Sequence, residues 1–113
     1  MKINKIKNGS SLTMAIEGRL DTITSSDLSK EITSSIDGVT ELILDIENLE
    51  YISSSGLSVL LSTQKSMNSN NGKMIVKNVP EIVMEVFDIT GFVDILNIEW
   101  GNENENRQGL SEQ

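Results

Sequence analysis

The stretch that most constrains the fold is ELILDI, residues 41–46. It is nearly continuous in apolar character but too short for an ordinary helix, which is the pattern of a strand covered on both faces. Beyond it, Leu57, Leu60, Leu61 and the run Gln64 to Met67 switch to helical spacing. That helix stops at NSNNG, residues 68–72, a cluster of helix breakers. Lys73 to Lys77 then reads as another strand. Strand, helix and strand in succession point to an α/β domain in which a helix links neighbouring strands.

The flanking segments extend this pattern. Ile3 to Lys7 and Leu12 to Glu17 read as strands on either side of Asn8-Gly9, a pair suited to the positive φ angles of a tight hairpin. Leu28, Ile32 and Ile36 recur every fourth residue and predict a helix from Ser25 to Ile36, ending near Gly38, with Asp27 and Glu31 early where the helix dipole favours acids. Pro80 suits the first turn of a third helix, whose Ile82, Val83, Val86 and Phe87 form an apolar face before Gly91 ends it. Leu96, Ile98 and Trp100 alternate as a last strand. The expected order is ββαβαβαβ, a mixed β-sheet with helices packed against it. One domain over residues 1–100 is expected, followed by a polar tail, 101–113, too poor in apolar residues to order itself.

Composition narrows the function. With 9 basic and 17 acidic residues in 113, the net charge is −8, which repels phosphate backbones and makes nucleic acid an unfavourable partner. No apolar run approaches the roughly 18–20 residues of a membrane span, and MKINKIKNGS lacks the apolar stretch of a signal peptide. A cytoplasmic location without membrane contact is expected. The absence of cysteine removes thiolate nucleophiles and zinc-thiolate sites, and the absence of histidine removes the commonest general base.

Ligands and partners of open α/β sheets meet the loops beyond the carboxyl ends of the strands. Two loops are expected there, Gly18-Arg19-Leu20-Asp21 and Glu47 to Ser55. Parallel pairing of the preceding strands would bring Asp21 and the serines of YISSSG, residues 51–56, to one end. Ser54-Ser55-Gly56 supplies half of a G-x-S-x-G nucleophile elbow, but position 52 is Ile and no histidine exists to activate the serine. For a Ser-Lys arrangement, Lys65 lies well along the same helix and no other lysine is an obvious partner. Asp45, Glu47 and Glu50 match no calcium-loop spacing, and the dispersed glycines match no nucleotide fingerprint. No catalytic residue, metal or cofactor is expected. The serines are open to two readings. One is simple capping of a helix N-terminus. The other is a phosphate acceptor, because a helix N-terminus tolerates the added charge of about −1.5 to −2 while a docked partner would not.

At this point the sequence resembles a known family. EGRLD at 17–21, LILDIENLEYISSSGLSVLLSTQK at 42–65, NGKMIVKNV at 71–79 and EVFDITGFVDILNI at 85–98 look like a STAS domain. More narrowly, they resemble the free-standing bacterial anti-sigma factor antagonists. The resemblance implies a non-enzymatic partner-switching protein that, when unphosphorylated, binds an anti-sigma factor and frees a sigma factor. In that family the anti-sigma factor is usually also a serine kinase of the histidine-kinase-like ATPase fold, and a PP2C-type phosphatase removes the phosphate. The position matching the acceptor is Ser54. Ser55 matches the small residue beside Gly56, Asp21 matches an acid of the partner surface, and the expected partner-binding set is Asp21, Ser53, Ser54, Ser55 and Gly56. Better-studied members carry Asp immediately before the acceptor, where this chain has Ser53, so Ser53 and Ser55 are alternative acceptors. The alternative function is a constitutive STAS scaffold or sensor subunit whose serines cap a helix and are never modified.

Overall fold

The computed structural model describes residues 1–99. The expected strand position Trp100 and the expected tail from Gly101 to Gln113 lie outside the described residues. Strands β1 (Lys2–Asn8) and β2 (Ser11–Leu20) form an antiparallel hairpin, followed by helix α1 (Thr22–Ser35) and strand β3 (Glu41–Asp45). A short strand β4 (Leu49–Ile52) leads into helix α2 (Ser54–Ser69), strand β5 (Lys73–Lys77) and helix α3 (Glu81–Thr90). A 3-10 turn, Phe92–Asp94, precedes the final strand β6 (Ile98–Glu99). Hydrogen bonding runs β1-β2-β3-β5-β6, with every pairing parallel except the first hairpin.

The mixed α/β architecture agrees with the sequence expectation, and its core follows from strand periodicity. Leu12, Met14 and Ile16 on β2, Leu42 and Leu44 on β3, and Met74 and Val76 on β5 are all buried. Leu12, Leu42 and Met74 share one register row, and Met14, Leu44 and Val76 the next. Burying one such aliphatic side chain contributes on the order of 1.5–3 kcal/mol. Leu28 and Ile32 of α1 and Leu57, Leu60 and Met67 of α2 complete this core, and the two helices pack against each other. The expectation that β3 is covered on both faces is corrected: Glu41, Ile43 and Asp45 on its other face are only half-buried. Two of those three side chains are acidic, which disfavours a second dry layer.

Several element boundaries also differ from expectation. The hairpin turn is Gly9-Ser10 rather than Asn8-Gly9, because Asn8 pairs with Ser11 and only Gly9 takes a positive φ, 66°. Strand β2 does not end at Glu17; it continues to Leu20 by pairing with β4 after a register shift between Gly18 and Arg19. Helix α1 begins at Thr22, three residues early, and has no acid in its first turn, since Asp21 supplies that charge from the capping position. Among the described residues the last strand begins at Ile98, not Leu96, and covers Ile98–Glu99. Leu96 is buried just after the 3-10 turn, and the chain leaving that turn is held by Gln64 of α2: its side chain donates to the Ile95 carbonyl and accepts from the Asn97 N–H.

Candidate functional site

Two helix starts meet at the carboxyl end of the sheet. Strand β4 stands in line beyond β3 and pairs in parallel with the end of β2, so that Leu20 lies opposite Ile52. The next residue in each chain segment caps a helix. Asp21 caps α1 and Ser53 caps α2, and the Ser53 N–H donates to the Leu20 carbonyl at 2.9 Å. The parallel arrangement expected from the sequence therefore does bring Asp21 and the three serines to one end.

At the α1 start, Asp21 Oδ1 accepts from the N–H groups of Ile23 at 3.0 Å and Thr24 at 2.9 Å. The Thr24 hydroxyl accepts from the Asp21 N–H at 2.8 Å, closing a reciprocal capping box. The hydroxyl also lies 3.0 Å from Asp21 Oδ1 and 2.7 Å from the Arg19 carbonyl. The Thr24 N–H first, its hydroxyl next, then the Ile23 N–H and the Arg19 charge hold the Asp21 carboxyl below its ordinary value against partial desolvation. Asp21 thus stays ionised and fixed.

At the α2 start the three serines are physically distinct. The Ser53 hydroxyl, half-buried, accepts from the Gly56 N–H at 3.2 Å and so does the work of the N-cap. Ser54 is the first helical residue and is exposed. Ser55 follows and is half-buried. Helix α2 begins at Ser54, ahead of the helical spacing that starts at Leu57, so the serines stand at the helix start as expected, Ser53 capping it and Ser54 and Ser55 in its first turn. Gly56, expected on the partner surface, is instead buried beneath that turn. A Cβ there would lie 2.8 Å from Ile52 Cγ1 and 2.9 Å from Leu20 Cγ, so glycine lets the helix start sit directly on the β2–β4 pair. Gly56 thereby fixes where Ser54 stands on that pair.

The rim contains residues the sequence reading passed over. The Arg19 guanidinium stacks 4.2 Å from the centre of the Tyr51 ring, and Tyr51 is 40% exposed. Ile23, in the first turn of α1, is 76% exposed. Strand β4 was concealed because Leu49–Ile52 is only four residues long with Glu50 inside it. The signal that could have found it is the spacing of Leu49, Tyr51 and Ile52 ahead of the serines.

A family model described as the STAS domain matches residues 2–104. The chain belongs to the STAS domain family. It is 30% identical over 89 residues to the anti-sigma-B factor antagonist of Staphylococcus aureus, covering 78% of this chain and 82% of that protein. Its fold is similar to that of the unphosphorylated anti-sigma factor antagonist SpoIIAA, with a TM-score of 0.78 at 20% identity, over 99% of this chain and 98% of the other. An anti-sigma factor antagonist from Mycobacterium paratuberculosis is similar at a TM-score of 0.79 and 17% identity, over 91% and 88%. The two solved structures speak to the fold. On the helix-start surface of this STAS domain, Asp21 contributes an ionised carboxylate and Ser54 an exposed hydroxyl.

Proposed function

We propose that this STAS domain is an anti-sigma factor antagonist switched by phosphorylation of Ser54. Unphosphorylated, it binds an anti-sigma factor through Asp21 and the serine turn, and thereby frees a sigma factor in the cytoplasm. The partner is itself a serine kinase of the histidine-kinase-like ATPase fold. It phosphorylates Ser54, and a PP2C-type phosphatase restores the binding form. The domain, residues 1–100, is the substrate in this cycle and catalyses none of it.

The observation that carries this reading is the division of labour among the serines. Ser53 caps the helix, which leaves the exposed Ser54 hydroxyl with no structural duty. Phosphate on Ser54 would meet the N–H groups and positive dipole end of α2, so the fold would accept it. A partner docked over the same turn would meet new negative charge at the contact, where like charges cost several kcal/mol. The named activity of the Staphylococcus aureus relative supports the choice of partner class.

The test is affinity for the anti-sigma factor measured on Ser54→Ala and Ser54→Asp. Ser54→Ala should bind like the parent, and Ser54→Asp should bind at least about tenfold more weakly. Equal binding by Ser54→Asp would favour the constitutive scaffold instead.

A further inference from the structure

Helix α3 carries an apolar ridge whose two ends the fold leaves exposed, while its middle residue, Val86, packs in part against the core. Its inward face is supplied by Val83 and Phe87, both fully buried, and the helix packs against β4. Ile82 and Ile89 are nevertheless 59% and 86% exposed, and Val86 between them is half-buried. Positions 82, 86 and 89 follow i, i+4, i+7 spacing, so they align along one side of the helix over about 10 Å. Isolated exposed isoleucines are ordinary; three apolar residues in one helical row are a surface.

The charge on the segment that carries this ridge has one sign. Glu81, Glu85 and Asp88 are the charged residues of α3, and all are exposed. From Asn78 to Glu99 there is no lysine or arginine, while Asp94 and Glu99 add two further acids. Such a rim repels an anionic membrane, and it repels a second copy of the same face. It complements an apolar row bordered by lysine or arginine, which a basic amphipathic helix provides.

We propose that the Ile82–Val86–Ile89 ridge is a docking surface for a basic amphipathic helix of a protein partner, separate from the Ser54 surface. The probe is a synthetic helical peptide of leucine and lysine repeats, added to the full chain and followed by amide NMR. Resonances of residues 81–90 should move most, and raising salt beyond about 0.1 M should weaken the effect. Ile82→Asp and Ile89→Asp, both at exposed positions, should each keep the parent's melting temperature and lose about tenfold or more in affinity. Shifts spread across the other acidic segments, undiminished binding by both variants, or equal binding of a leucine–glutamate peptide would overturn the proposal. So would peptide-free self-association through α3, which would assign the ridge to a second copy.

Discussion

Replacing Gly56 by alanine should destabilise the domain, although helix propensity alone argues the opposite. In a helix interior alanine is favoured over glycine by about 0.8–1 kcal/mol. Here the added methyl would sit 2.8 Å from Ile52 Cγ1 and 2.9 and 3.0 Å from Leu20 Cγ and Cδ2. Two of these three, Ile52 Cγ1 and Leu20 Cγ, are interior γ-carbons near the backbone rather than mobile side-chain ends. Their backbones are also pinned, because Leu20 pairs with Ile52 and the Leu20 carbonyl accepts from the Ser53 N–H. Overpacking of this kind costs about 1–3 kcal/mol. With three contacts at 3.0 Å or closer the cost falls in the upper part of that range, about 2–3 kcal/mol, so it exceeds the propensity gain and leaves a net loss of about 1–2 kcal/mol. For a domain of this size each kcal/mol lowers the melting temperature by about 4–8 °C. Thermal denaturation of Gly56→Ala checks the sign, and a double-mutant cycle checks the cause. In a Leu20→Ala background, which removes two of the three close contacts, the same change should cost markedly less. A Gly56→Ala melting temperature at or above the parent's would refute the reasoning, as would an equal cost in both backgrounds.

Leu60→Ala, at a position 1% exposed, should cost about 2–5 kcal/mol in denaturant unfolding, and an unchanged midpoint would place Leu60 outside the core. Ser53→Ala removes the α2 cap and should cost about 1 kcal/mol, whereas Ser53→Asp keeps a capping oxygen and should melt like the parent. Because the folded Asp21 carboxyl lies below its ordinary value, its stabilisation is complete above about pH 3.9 and is lost as the pH falls through the folded value. The melting temperatures of the parent and Asp21→Asn should therefore converge on acidification; a constant gap would show that the charge contributes nothing.

The interior of the fold was legible because apolar period directly encodes burial. Leu28 and Ile32, read at helical spacing, mark the inward side of α1, whereas ELILDI, read as covered on both faces, buries only the side that carries Leu42 and Leu44. The common end of the sheet was legible too, since two parallel strands must deliver Asp21 and the serines together. What stayed hidden was set by pairing between distant segments. Strand β4 exists because β2 continues past Glu17 to receive it, and nothing local to LEYI announces that partner. The same is true of Gly56, whose buried approach to Leu20 depends on a residue far away in sequence. The serines themselves could not be ranked by composition. Only the Ser53 hydroxyl's bond to the Gly56 N–H separates the capping serine from the exposed one.

That separation leads to the most direct test of the switch. The protein is incubated with ATP and its cognate anti-sigma factor kinase, and the phosphate is mapped by mass spectrometry. The account predicts a single phosphate on Ser54, with none on the capping Ser53 or on Ser55. Modification of Ser53 or Ser55 in its place, or no modification of the serine turn at all, would contradict it.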